Sequence, residues 1–228
     1  KILFIKNEPK SDKYFHRWLG SSEFLNGNER WCLWLGSADP AELRTMPEVM
    51  RRIEAVRQFR LASKSLPTKK LAELPTRFHV ENMPTGKFII FPRHSSENRR
   101  YIPLGFVPNG VLVGDSCLIS NEADFYDLGM LQSEMHMAWV RAVCGRLKSD
   151  YRYSKDIAYN NFPWPDLVSK SQRKEVEMSA QKIIEIRTQF PKATLADLYD
   201  PNTMPKILLD AHRALDRAVD RCYTSKRF

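Results

Sequence analysis

Glycine is scarce in this chain, with nine among 228 residues. A nucleotide-type cofactor needs several glycines in one turn between a strand and a helix, and no such cluster is present. Cysteine is scarce too. Cys32, Cys117, Cys144 and Cys222 form no CxxC pair, and each sits among apolar residues. They read as reduced, buried thiols rather than a disulfide framework. The five histidines, His16, His79, His94, His136 and His212, lack metal-ligand spacing, so no metal site is expected. Long apolar runs are missing. Phe88 to Phe91 and Val111 to Val113 are far too short to span a bilayer. There is no repeat, no low-complexity tract and no basic tail. The chain starts at Lys1 without methionine and without a signal-like apolar segment, which reads as an excised fragment.

What is present is a basic, core-forming composition. Hydrophobic residues make up 43% of the chain, enough to bury a real core. Lys and Arg number 36 against 27 Asp and Glu, a formal net charge of +9. That balance favours a polyanionic partner, either nucleic acid or an anionic membrane surface.

Several segments have a readable period. Ile2 to Ile5 and Arg30 to Leu35 predict strands. Asp39-Pro40 marks a helix start, with Asp39 as cap and Pro40 in the first turn. Pro47 to Leu61 repeats Val49, Met50, Ile53, Val56 and Phe59 at helical spacing, with Arg51, Arg52, Arg57 and Arg60 on the opposite face. Such a face tracks phosphates or is simply solvated. Ser63 to Leu74 reads as a lysine-bearing connecting loop. Phe78 to Val80, Lys87 to Pro92, Tyr101 to Phe106 and Val111 to Ile119 predict strands of an antiparallel β meander. Leu128 to Leu147 predicts one helix, ending near Gly145. Beyond Pro165 the pattern turns all-helical, with Lys170 to Thr188 and Pro205 to Tyr223 as the long helices. The fold class is therefore α+β. A mixed domain over 1–165 with packed helices precedes a small helical domain over 166–228.

Two basic segments carry candidate chemistry. Arg93 to Tyr101, RHSSENRRY, offers three arginines, two hydroxyls and an amide. Arginine grips phosphate or guanine with two bonds, and asparagine does the same for adenine. Gly145 to Lys155 mixes Arg146, Lys148, Arg152 and Lys155 with Tyr151 and Tyr153, which suits a nucleic-acid backbone. The plainer alternatives are a solvated hairpin loop and a charged connector whose tyrosines pack inward. Asn160 to Pro165, NNFPWP, approaches an amino-methyltransferase motif, but Phe162 interrupts it between Asn161 and Pro163 and spoils the spacing. Asp115, Glu122, Asp124 and Asp127 are close in sequence, but they read as structural rather than as a metal cluster. No catalytic set is expected in this fragment.

Taken in order, several of these segments are distinctive. RWCLWL, SSENRRYIPLGF, HMAWVRAVCGRLKSDYRYS and YNNFPWP, followed by LADLYDPNTMP and AHRALDRAVD, resemble the C-terminal part of MmeI-like restriction–modification DNA adenine methyltransferases. The resemblance covers nearly the whole chain. It implies a target recognition domain plus a C-terminal helical domain, with a methyltransferase domain upstream in the same chain. It implies double-stranded DNA as partner, S-adenosylmethionine in the parent but no cofactor in this fragment, and Mg²⁺ only where a nuclease domain is attached. A bacterial cytoplasmic setting with no membrane follows.

Within that frame one set of residues is expected at phosphates: Arg93, Ser95, Ser96, Arg99, Arg100, Arg146, Lys148, Arg152, Tyr153 and Lys155. A second set, Asn82, Glu97, Asn98, Asp115 and Ser116, is expected at base edges. The competing class is a protein–protein scaffold whose positive charge is incidental.

Overall fold

The computed structural model describes residues 1–81 and 83–224. Its first element corrects the sequence expectation. Ile2–Asn7 is a helix, α1, rather than a strand. A strand needs a partner for its edge. Here the bonds close locally, from Ile5 N–H to Lys1 O at 3.0 Å and from Glu8 N–H to Phe4 O at 2.9 Å. A 3-10 turn over Pro9–Tyr14 leads into β1, Phe15–Leu19. Then follow α2, Ser21–Asn26, and β2, Arg30–Leu33. α3 spans Pro40–Leu43 and starts as expected, with Asp39 accepting the Ala41 N–H at 2.9 Å. α4 spans Pro47–Leu61, as its period predicts.

The expected loop after α4 is partly helical. α5, Leu66–Lys70, runs into a 3-10 turn over Leu71–Glu73. Arg60 organises this return: it donates to the carbonyls of Leu71 at 2.8 Å, Leu74 at 2.9 Å and Arg77 at 2.6 Å. Phe78 to Val80 is irregular, not a strand. Phe78 instead stacks on Trp18 and Trp34, with centroids 6.2 and 5.6 Å away.

The strands continue with β3, Phe88–Pro92, β4, His94–Ser95, β5, Gly105–Val107, β6, Val111–Val113, and β7, Cys117–Asn121. Tyr101 to Leu104 is buried but unpaired as a strand. Pro103 has no N–H, and the Leu104 carbonyl accepts from Gln132 at 3.1 Å and Arg187 at 2.6 Å instead. Val111 to Ile119 is split by a turn in which Cys117 N–H donates to Gly114 O at 3.0 Å.

The predicted helix from Leu128 to Leu147 is likewise two helices, α6, Phe125–Leu131, and α7, Glu134–Val143. Ser133 makes the break. Its hydroxyl donates to Met130 O at 2.7 Å and accepts the His136 N–H at 3.2 Å. Two further strands follow, β8, Gly145–Leu147, and β9, Asp150–Arg152. The rest is helical: a π turn over Lys155–Tyr159, then α8, Lys170–Thr188, α9, Leu195–Leu198, and α10, Lys206–Tyr223.

The strands form three three-stranded sheets, ordered β2-β1-β6, β5-β3-β7 and β4-β9-β8. The α+β class and the antiparallel pairing stand, but one continuous meander is replaced by these separate small sheets. Two bodies result. The first contains Lys1–Trp18, Glu29–Met83 and Gly110–Leu112. Its core is Leu35, Leu43, Met46, Val49 and Ile53. Glu8, 6% exposed, ties α1 to it, accepting the Val49 N–H at 2.8 Å and the Glu48 N–H at 3.3 Å. An anion there satisfies amide donors that the start of α4 leaves open.

The second body contains Leu19–Asn28, Pro84–Asn109 and Val113–Phe228. The helices beyond Pro165 belong to its core: Val176, Ile183 and Leu215 cluster with Phe91, Leu128 and Met137. α6 reaches α8 and α10 through Gly129. A Cβ there would lie 2.6 Å from Val176 Cγ1 and 3.2 Å from Leu215 Cδ1. Glycine costs a helix about 1 kcal/mol relative to alanine, and this close approach is what requires it.

Two buried histidines complete the core. His136 Nε2 lies 2.9 Å from the Tyr153 hydroxyl, and His212 Nε2 lies 2.8 Å from the Tyr199 hydroxyl. Burial pushes His136 down to about 3 and pushes His212 well below the usual histidine range, with Arg187 adding to the latter. Both are neutral at pH 7. The unfolded chain protonates its histidines near pH 6.5, so their contribution to stability is whole above that value and is lost as pH falls toward the folded values. The expected loss is up to about 1.4 kcal/mol per pH unit per histidine once the unfolded chain is protonated. Urea midpoints at neutral pH and at successively lower values check this, with His136→Gln halving the dependence. A constant midpoint would mean that both imidazoles charge inside the fold.

Candidate nucleic-acid interface

The segment expected as a loop after α7 is a hairpin. β8 and β9 pair with Arg146 opposite Tyr151 and Leu147 opposite Asp150. Lys148 sits in the turn with φ +56, a left-handed conformation that Asn or Gly adopts more readily. On its other edge β9 pairs with β4, placing His94 opposite Arg152 and Ser95 opposite Tyr151. The two basic segments singled out in the sequence are therefore neighbours in one sheet. They make a single platform.

The pleat sorts their side chains. Directly opposed residues share a face. Ser95, Tyr151 and Arg146 lie on one side, and His94, Arg152 and Gly145 on the other. Tyr151 and Tyr153 are 4% and 3% exposed, while Arg152 between them is exposed. Arg146 stacks over Tyr151, 4.0 Å from the ring centroid, and donates to Ser149 O at 2.9 Å. Lys148, Arg152 and Lys155 are exposed and make no ion pair among the described residues.

Backbone bonds extend the platform. Tyr153 N–H donates to Arg93 O at 2.7 Å, and Arg93 N–H donates to Ser116 O at 2.9 Å. This brings the turn with Asp115 and Ser116 beside β4. Asp115 is exposed. The Ser116 hydroxyl accepts the Ser21 N–H at 2.9 Å, and its carbonyl accepts from the Ser21 hydroxyl. The loop after β4 carries Glu97 and Asn98, both exposed. Ser96 Oγ accepts the Asn98 N–H at 3.3 Å.

Some expected roles do not suit these positions. The Tyr153 ring packs on Phe91 and its hydroxyl pairs with His136, so it is a core residue and cannot meet a phosphate. Ser95 is 3% exposed and lies under the same sheet. Arg100 pairs with Glu134 at 3.2 Å, and Arg141 pairs with the same carboxylate. Arg99 is half-buried; burial pulls its guanidinium below the usual value, against the pull of Asp150 and Asp200. The Arg93 Nε is buried and unpartnered among the described residues. Asn82 lies outside the described residues.

Asp150 was not singled out in the sequence. Its carboxylate accepts the Glu97 N–H at 3.3 Å and so holds the loop after β4 onto the hairpin. The only sequence signal was an acid within an otherwise basic run.

The remaining motifs are structural. Asp124 accepts the Tyr126 and Asp127 N–H groups at 2.8 and 3.1 Å, Asp127 accepts the Asp124 N–H at 2.9 Å, and Arg173 pairs with Asp124. In NNFPWP, Phe162 packs edge-on against His136, and Pro163 O accepts the Tyr223 hydroxyl at 2.8 Å. Among the described residues no three His, Cys, Asp or Glu side chains gather as a metal set. No helix among them is long and apolar enough to cross a membrane.

Two family models match the chain: "MmeI, target recognition domain" over residues 1–166 and "MmeI, C-terminal domain" over residues 168–228. The chain belongs to the MmeI family. Its relatives include DNA methyltransferase A of Bacillus subtilis (strain 168), 41% identical over 224 residues. That match covers 98% of this chain and 25% of the relative. A solved structure of the type IIL restriction–modification enzyme MmeI in complex with DNA is 44% identical, with a TM-score of 0.95. It is matched over 100% of this chain and 30% of its own. The chain thus spans about a quarter to a third of the length of these proteins. Within the family it is the target recognition module, and the scaffold alternative is not favoured.

Proposed function

We propose that this chain reads a specific duplex DNA sequence for a larger enzyme that methylates adenine N6 with S-adenosylmethionine. The observation that carries the reading is the β4-β9-β8 platform, where Lys148, Arg152 and Lys155 stand exposed without ion pairs. These three anchor phosphates, with Arg146 and Ser96 behind them. Lys148 keeps a left-handed backbone at the tip, at a cost of about 1 kcal/mol that glycine or asparagine largely avoids. A strained cation at an exposed tip supports a functional role. Ser95 and Tyr153 hold the sheet from beneath.

Glu97, Asn98 and Asp115, with Ser116 beside them, read base edges, each good contact contributing about 1–3 kcal/mol of discrimination. Asn82 joins them on the sequence alone. A domain upstream flips the target base and transfers the methyl group. Residues 1–165 form the recognition part and 166–228 a helical part that shares its core. The setting is a bacterial cytoplasm.

Methylome sequencing of cells expressing the full-length protein tests the reading. Asn98→Ala or Asp115→Ala should relax or switch the methylated sequence at unchanged protein stability. The same methylated sequence from both variants would remove these residues as readers.

A further inference from the structure

The positive charge is unevenly placed. The first body has fifteen Lys and Arg against nine Asp and Glu, two-thirds of the chain's net +9 in about a third of its residues. Most of this excess lies in one stretch. Ala55 to Ala72 holds Arg57, Arg60, Lys64, Lys69 and Lys70 and contains no Asp or Glu. It comprises the C-terminal half of α4, a turn and α5.

Arg60 is committed to the three carbonyls that fold α5 back against α4. Arg57, Lys64, Lys69 and Lys70 are exposed and make no ion pair among the described residues. Between them stand Phe59 at 78% exposure and Leu66 at 71%. Helix dipoles favour cations in a last turn, which accounts for Lys69 and Lys70. They do not account for the absence of acids over the whole stretch, nor for bare apolar side chains among the charges.

We propose that this α4–α5 corner is a second duplex-contact surface that grips the phosphate backbone without reading bases. Arg57, Lys64, Lys69 and Lys70 each neutralise a phosphate, and Phe59 and Leu66 rest on the deoxyribose edge. Charge complementarity selects the occupant: four exposed cations within fourteen residues, without an acid among them, favour a polyanion. The proposal rests on the chain being a DNA-recognition module, but it uses none of the residues of the β4-β9-β8 platform.

The test replaces Arg57, Lys64, Lys69 and Lys70 with Gln in one variant of the full-length protein. Duplex affinity is measured by fluorescence anisotropy across a range of salt, on the methylated sequence and on an unrelated one. The slope of log K against log salt should fall by about 3 to 4, at about 0.9 per phosphate contact. The same factor should be lost on both sequences. Lysine acetylation of the unaltered protein gives a second readout, in which duplex should protect Lys64, Lys69 and Lys70.

An unchanged slope in the folded variant, or unprotected lysines, overturns the proposal. So does protection by phosphatidylserine vesicles but not by duplex. A platform variant that loses affinity while this one does not defeats the second surface alone. Absence of duplex binding by the unaltered protein defeats the recognition reading itself.

Discussion

Replacing Lys148, Arg152 and Lys155 together with Glu should cost duplex affinity a factor of 100 or more, on the order of three lost phosphate contacts plus repulsion. All three are exposed and unpaired among the described residues, so the fold has little to lose. Arg146 is left in place because its stacking on Tyr151 supports the sheet. The salt slope should fall by about 3, at about 0.9 per phosphate. Discrimination between sequences should change little, since phosphate contacts position without specifying. Anisotropy titrations over a range of salt read both quantities, and circular dichroism confirms the fold. A scaffold whose charge is incidental predicts no salt-sensitive duplex binding at all. Equal affinity and equal slope in the folded variant would therefore remove the platform from the interface.

The long helices were legible because their boundaries are written locally. α4 and α8 fall where the apolar period begins and ends, and Asp39 caps α3 as a carboxylate before proline should. What was not legible depended on distant partners. The run Ile2 to Ile5 suits a strand or a short helix equally. Its neighbour Glu8 caps α4 across a separation of 41 residues, and no local pattern contains that. The break between α6 and α7 hides inside a continuous apolar stripe, because Ser133 caps one helix while the stripe runs on.

The candidate site divides the same way. Composition located both basic segments but could not pair them. His94 meets Arg152 through strand register, and register is a property of the sheet. Tyrosine among cations has the same sequence whether it stacks on a base or packs inward. Alternation along β9 decides it, sending Tyr151 and Tyr153 inward and Arg152 out. The sequence thus locates the basic segments, while burial turns Tyr153 and Ser95 inward.

Asp216→Ala should destabilise the chain by about 3 kcal/mol, since it removes the acceptor of two part-buried hydrogen bonds. Asp216 lies on α10. One oxygen accepts the Tyr101 hydroxyl at 2.7 Å and the other the Glu134 N–H at 2.8 Å. Glu134 is the first residue of α7, so the carboxylate caps that helix from a distance and meets the positive end of its dipole. Burial raises the carboxyl's pKa, against the two hydrogen bonds that lower it, so part of the gain from pairing is offset by desolvation. Removing the whole group still leaves both donors unsatisfied beside the buried Tyr101–His212 stack, whose centroids are 4.1 Å apart.

Asp216→Asn keeps one acceptor and should cost about 1 kcal/mol, as should Tyr101→Phe. Combining Tyr101→Phe with Asp216→Ala should cost less than the sum, because the two share a bond. Urea unfolding of the four variants measures this directly. α7 runs into β8, so the same loss should also loosen the platform and speed amide exchange in Gly145–Arg152. If Asp216→Ala unfolds at the urea midpoint of the unaltered chain, this acceptor does not hold α7. The link from the C-terminal helix to the β4-β9-β8 platform would then have to run through packing alone.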